Sequence, residues 1–228
     1  MQTLIRASGD RIVAILHPAN GQLRAKTIVS RSNARPSGKY PSWKMGRMMQ
    51  WGKSSELNAF RLLDAEPRVI AYREYPLAIQ LVCDDQALKH YPEIQVDLSS
   101  GRELWRVCTA EQAASPDEAA LTSLLKAQLP AYGYTYRVVT SESLALEPRL
   151  SIALSLLRYG RKAITLMERE HLQRIIEKTG YIQWGTADAG VLGPRSRAII
   201  ARLALEGMLS APYDAPLTPQ TTFIANLP

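Results

Sequence analysis

The sequence predicts an α/β protein in two parts, on three observations. Extended and amphipathic segments alternate through residues 1–160, and the pattern turns mainly helical from residue 161. Between them, residues 54–108 read as a short helix followed by four extended segments, with one acid near the start of the helix and another in the third segment. At 228 residues the chain is long enough for one large domain or two small ones. With 46% hydrophobic and 21% charged residues it is expected to fold rather than stay disordered. No apolar run approaches the roughly 18 residues of a membrane span, so no membrane partner is expected. Arg6, Asp10 and Arg11 break the first stretch, which does not read as a signal peptide. Cys83 and Cys108 lie in strand-like apolar surroundings and read as buried free thiols, which points to the cytoplasm. Three scattered histidines and no paired cysteines exclude a structural zinc site.

Taken in order, residues 11–16 and 23–29 read as strands, with Asn20-Gly21 as a hairpin-turn signal. Residues 30–51 are basic, carry two prolines and two glycines, and interleave Tyr40, Trp43 and Trp51. They show no clean period and are expected to form a loop or arm. Ser54 or Ser55 caps the next helix; Glu56 sits in its first turn, and Leu57, Phe60 and Leu63 point to the core. Strands follow at residues 68–72, 77–83, 91–98 and 102–109. Asp84-Asp85 opens a turn, Pro92 marks a strand start, and Ser99-Ser100-Gly101 closes a tight turn. Residues 116–129 read as a helix opened by Asp117 and Glu118, residues 134–139 as a strand, and residues 148–159 as a second helix. Beyond residue 160, helices at 166–178 and 194–206 precede a stretch with extended ends at 208–225. That order fits a winged helix-turn-helix module whose second helix carries Arg195, Arg197 and Arg202 on a basic face.

The charge is unevenly placed. Residues 1–55 hold ten lysines and arginines against one acid, so the net excess of +7 lies entirely in the first quarter. Such asymmetry is the footprint of a polyanionic partner. Cations that neutralise phosphates, with aromatic faces that stack on unpaired bases, suit a grip on DNA. The candidate DNA-binding residues are Arg31, Arg35, Lys39, Tyr40, Lys44, Arg47, Lys53, Arg195 and Arg197. Glu56 on the helix and Glu93 on a hairpin strand are candidate metal ligands, because cutting a phosphodiester with Mg²⁺ needs carboxylates from separate elements at one point.

Several motifs share a specific combination: RPSGKYPS at 35–42, GRM at 46–48, SEL at 55–57, EPRV at 66–69, YP at 75–76, YPE at 91–93, and Gly133 followed by YRVVT at 136–140. On these residues 31–160 resemble the TnsA family, the endonuclease subunit of heteromeric transposons, which has the PD-(D/E)xK restriction-enzyme-like fold. The resemblance implies a restriction-endonuclease-like domain over residues 1–160 and a winged-helix-like, mainly helical domain over 161–228. It implies Mg²⁺ as cofactor, transposon-end DNA as substrate, a DDE transposase (TnsB) and an ATPase regulator (TnsC) as partners, and a bacterial cytoplasmic setting. In the family this subunit cuts the non-transferred strand.

Carried over, Glu56 matches the helix glutamate and Glu93 stands where the family has aspartate. Arg106 and Cys108 fall where a glutamine or glutamate and the catalytic lysine belong. Arginine adds positive charge beside a cation site, and cysteine cannot do the work of an ammonium. Moving the strand by one residue offers Val107 and Thr109, which is no better; Lys126 or Lys53 would be substitutes for the lysine. The expectation is a TnsA-like subunit with a degenerate centre that binds transposon-end DNA and docks on its partners. The alternatives are an active Mg²⁺-dependent endonuclease and a winged-helix DNA-binding regulator without nuclease activity.

Overall fold

The computed structural model describes residues 9–19, 21–28, 36–83, 86–187 and 190–226. Its elements begin with β1 (Arg11–Leu16), β2 (Gly38–Ser42), β3 (Arg47–Trp51), α1 (Ser54–Ala65), β4 (Val69–Glu74), β5 (Ala78–Cys83) and β6 (Gln86–His90). They continue with β7 (Ile94–Leu98), β8 (Gly101–Cys108), α2 (Ala110–Ala114), α3 (Pro116–Gln128), β9 (Tyr134–Thr140), α4 (Ser141–Leu144) and α5 (Arg149–Gly160). The last are α6 (Leu166–Thr179), β10 (Tyr181–Gln183), α7 (Ser196–Leu205), β11 (Leu209–Ser210) and β12 (Thr222–Ala225). Helices and strands alternate, so the protein is α/β. It divides into two compact units. The first holds the described residues up to 41, with 47–57 and 70–144; the second holds 42–46, 58–69 and the described residues from 145 onward.

The first unit is built on a mixed sheet of order β4-β7-β8-β9 and a smaller one of order β1-β5-β6. The turn at Gly101 (φ 139°) sends β8 back antiparallel to β7. β8 and β9 are parallel, in register from Arg102↔Tyr134 to Cys108↔Thr140. Parallel neighbours need a long crossover, and α2 and α3 supply it. The Ser115 hydroxyl accepts the Glu118 N–H and Pro116 takes the first turn of α3, a combination that fixes where the helix starts. Its Leu124 and Leu125 then pack into a core of Ile12, Leu77, Ile79, Leu81, Leu104 and Leu129, closed by Tyr134 and Tyr136. Burying such side chains stabilises by about 1.5–3 kcal/mol each, which holds the crossover to both sheets.

Three expectations for this unit are corrected. Residues 23–28 are not a strand, and β1 pairs antiparallel with β5 (Arg11↔Val82) rather than across the Asn20-Gly21 signal, of which Asn20 lies outside the described residues. The reason is electrostatic: the Arg24 guanidinium bonds Glu74 at 2.8 Å, and the Ala25 N–H bonds the Tyr75 carbonyl at 2.9 Å. Residues 38–51 are not a loop but the hairpin β2–β3, which turns near Gly46 (φ 62°). A further strand, β6, pairs antiparallel with β5 from Ile79↔His90 to Cys83↔Gln86. Gln86, Ala87, Leu88 and Lys89 are all exposed, so β6 shows none of the alternation that marks a strand in sequence.

In the second unit a Thr165/Glu168 capping box starts α6 and Gly180 (φ 75°) ends it. Strands β10, β12 and β11 form an antiparallel sheet in that order around α7. Helix α5 groups with this unit. Helices α5 and α7 meet at Gly160, where a Cβ would lie 2.8 Å from the Ala201 carbonyl carbon. Pro194 precedes α7, which opens at Ser196. Among the described residues no helix is long and apolar enough to cross a membrane.

Lys44 shows how the second unit uses a cation. Its Nζ donates to the carbonyls of Leu63 (3.0 Å), Glu66 (2.6 Å) and Val69 (2.8 Å), and so ties the end of α1 to the start of β4. Burial brings the ammonium down to about 8, with Asp64 and Glu66 pulling the other way. Lys44→Met is therefore expected to lower stability by about 2 kcal/mol in urea unfolding. An unchanged midpoint would unseat the capping role.

Candidate functional site

The main chain delivers Glu93 to one point from both sides. Its N–H donates to the Trp105 carbonyl (2.9 Å), and its carbonyl accepts the Tyr75 N–H (2.8 Å). Pro92 ahead of it has no N–H to place in the ladder. The Glu93 side chain is 3% exposed at residue level, and both its oxygens are engaged. Oε2 accepts the Val107 N–H at 3.0 Å; Oε1 accepts Arg106 Nη1 at 2.5 Å and Lys53 Nζ at 3.3 Å. Lys53 also donates to the Val107 carbonyl at 3.2 Å.

Glu56 comes from the first turn of α1, whose start is set by its own N–H on the Lys53 carbonyl (3.0 Å). It is 1% exposed. One oxygen accepts the Gly52 N–H and the other the Tyr75 hydroxyl, both at 2.7 Å. Burial pushes this carboxyl above the usual range; those two donors and Lys53 oppose the shift, while Glu93 adds to it. Tyr75 thus touches both acids, by its hydroxyl and by its backbone. It is the one non-glycine with positive φ (45°) among the described residues, a conformation a side chain adopts only when its surroundings impose it.

Arg106 joins Glu93 to Glu118, its Nε and Nη2 donating to the two Glu118 oxygens at 3.1 and 3.2 Å. Burial works against the charged guanidinium, but Glu93 and Glu118 outweigh it and hold the proton more tightly than usual. Cys108 is buried at the end of β8 on the same side of the strand as Arg106. Burial pushes its thiol up, so it is uncharged at neutral pH. Behind Arg106, the Tyr136 hydroxyl and His90 Nε2 share a hydrogen bond of 2.9 Å.

Of the positions taken from the sequence, the structure brings Glu56, Glu93, Arg106, Cys108 and Lys53 together. Lys126 is exposed in the last turn of α3 and takes no part. Glu118 and Tyr75 complete the cluster without having been singled out. Tyr75-Pro76 was visible as a motif, but nothing in the spacing ties Glu118 to Arg106.

Divalent magnesium requires near-octahedral oxygen ligands with open carboxylate lone pairs. Here every oxygen of Glu56 and Glu93 already accepts a hydrogen bond, and two cations sit against Glu93. No group of three or more His, Cys, Asp or Glu side chains suited to a metal ion occurs among the described residues. The residues present do not fit Mg²⁺.

The candidate DNA-binding residues are mostly engaged internally. Arg31 and Arg35 lie outside the described residues. Tyr40 is buried, Lys44 caps carbonyls, and Arg47 bonds the fully buried Glu74 through Nη1 (2.9 Å) and Nη2 (2.7 Å). Arg195 pairs with Glu168 at 3.2 Å, and the Arg197 guanidinium lies 5.9 Å from the Tyr159 ring centre. No residue of α7 is exposed; seven of its ten are buried. Arg197 and Arg202 on α7 are half-buried, and the side chain of Arg195 just ahead of it is 41% exposed. Lys39 is exposed, as are Lys26 and Lys89, whose ammonium groups lie 5.6 and 5.4 Å from the Tyr91 ring centre.

No family model matches the chain, and no curated protein matches its sequence.

The half-buried His90 gives a test of the cluster. Burial, with Arg106 adding to it, brings its imidazole down to about 4 from 6.5. The folded state then binds fewer protons than the unfolded state between those values, so stability falls as pH drops through that window. His90→Gln is expected to keep the Tyr136 bond and to lose about 2 kcal/mol less than wild type between about pH 7 and pH 4.5. Urea unfolding at both values checks this, and parallel losses in the two proteins would contradict it.

Proposed function

We propose that the protein is a TnsA-like subunit of a heteromeric DNA transposase whose nuclease centre is closed, and that it acts as a DNA-binding and docking scaffold rather than as the cutting enzyme. One observation carries this reading. A helix glutamate and a hairpin glutamate converge over a mixed sheet, the arrangement a PD-(D/E)xK nuclease uses, yet every oxygen of both carboxylates already accepts a hydrogen bond from Lys53, Arg106, Tyr75 or a backbone N–H group. The helix–strand–helix–hairpin order of the second unit, with β12 central, supports a winged-helix-like fold for it. Its inward-facing α7 favours docking on protein, the transposase or the ATPase, over reading a groove.

DNA contact on this reading comes from exposed cations, Lys26, Lys39 and Lys89, together with the net charge of +7. Each phosphate neutralised releases counterions, so affinity for duplex ends falls steeply with salt. The triple change Lys26→Ala, Lys39→Ala, Lys89→Ala should reduce the slope of log affinity against log salt by about 2–3. An unaltered slope would remove these lysines from the interface. In the same samples wild-type protein should leave supercoiled plasmid intact with Mg²⁺ or Mn²⁺. Nicking that disappears in Glu93→Gln would instead establish the second reading, an active endonuclease in which Lys53, already on Glu93, stands in for the missing lysine.

A further inference from the structure

We propose that Arg106 is a built-in substitute for a divalent cation: its guanidinium fills the place between Glu93 and Glu118, so the centre carries its own counter-charge and is indifferent to added metal. The inference rests on the nuclease-like reading for what is being replaced, but the chemistry is local. Glu93 and Glu118 have side chains only 4% and 12% exposed, and they come from separate elements, the start of β7 and the first turn of α3. Two carboxylates held this close without an intervening cation would repel, and one would take up a proton. A divalent ion is one solution to that problem; a fixed guanidinium is another.

The geometry fits the second solution at every donor. Nη1 serves Glu93, while Nε and Nη2 serve Glu118 as a fork that matches both oxygens. A planar guanidinium offers its donors to two carboxylates in fixed directions, where an ammonium is a compact point charge with rotatable donors. Lys53 adds a second cation on the solvent side of Glu93, its own side chain 41% exposed. An approaching Mg²⁺ ion therefore meets two positive groups, and each oxygen of Glu93 and Glu118 already accepts a hydrogen bond. Position 106 lies on the strand edge that faces the acids, so a change of one side chain both removes a ligand and installs the ion's replacement.

The test is made on the free, full-length protein without DNA, so its outcome is independent of whether the chain binds transposon ends. Thermal unfolding of wild type should be unmoved by millimolar Mn²⁺ or Mg²⁺, beyond the change seen with Na⁺ at equal ionic strength. Arg106→Gln frees both carboxylates while keeping a similar volume. It should unfold at lower temperature, and Mn²⁺ should raise its midpoint saturably by roughly 3–6 °C. Adding Glu93→Gln to it should abolish that rise, and Arg106→Lys should stay indifferent to the ion. If Arg106→Gln does not fold alone, refolding from urea with and without Mn²⁺ reads the same point: recovery only with the ion supports the proposal, recovery with neither overturns it. A saturable rise in wild type that Glu93→Gln removes, or a folded Arg106→Gln that ignores Mn²⁺, also overturns it.

Discussion

The first unit depends on neutralising carboxylates that it buries. Glu56, Glu74 and Glu93 are 1%, 0% and 3% exposed, and an ionised group in such a place costs several kcal/mol unless partners surround it. Glu74 takes Arg24 and Arg47 along with the Gln50 N–H; Glu93 takes Lys53, Arg106 and the Val107 N–H; Glu56 takes the Gly52 N–H and the Tyr75 hydroxyl. These demands shape the backbone. The Gly52 N–H can reach Glu56 because a residue with no side chain sits there; a Cβ would come 3.2 Å from Ile28 Cγ2. The bend at residues 24–25 exists to bring Arg24 onto Glu74. Loss of one partner leaves the acid buried and unpaired, which is costlier than losing a surface pair.

This constraint explains what the sequence did and did not disclose. The long amphipathic stretches were legible: residues 116–129 and 166–178 carry caps, periodic leucines and isoleucines, and clear stops, and α3 and α6 form there. The strands around Glu93 were legible because Pro92 and the Ser99-Ser100-Gly101 turn mark both ends of the hairpin. The partner of β1 was not, since Asn20-Gly21 is a strong local signal and the true pairing with β5 is set by a core more than sixty residues away. The grouping of helix α5 was not legible for a related reason. Helix α5 looks like its neighbours upstream in pattern, and only packing at Gly160 assigns it to α7.

The charge reading needs the internal ion pairs set aside. A basic first quarter reads as an exposed arm, but composition cannot tell a cation that faces solvent from one that faces a buried acid. Here Arg24, Arg47 and Lys53 answer to acids at 74 and 93, outside the basic stretch itself. Net charge of a segment measures its field only after such internal pairs are subtracted. Among the described residues of the first quarter, Arg11, Lys26 and Lys39 remain exposed. At the candidate site the sequence pointed to Glu56, Glu93, Arg106 and Cys108, which the structure brings near one another. Arg106 and Cys108 marked a departure from a metal centre, yet only the geometry shows the guanidinium standing between two carboxylates.

That position also makes Arg106 a structural hinge-pin between chemistry and fold. Glu118 is in the first turn of α3, where the helix dipole already favours a carboxylate, so its charge is stabilised at the helix end and by the fork from β8. The same helix is anchored at its other end by Leu124, Leu125 and Leu129 in the core. The β8–α3–β9 crossover is thus clamped by an ion pair at one end and by apolar packing at the other. Deleting Glu118 leaves Arg106 with Glu93 alone, and deleting Arg106 leaves two acids with like charge, so the effects of the two changes cannot be additive. Arg106 is bound by two acids from two elements, so it is part of what holds the crossover in place.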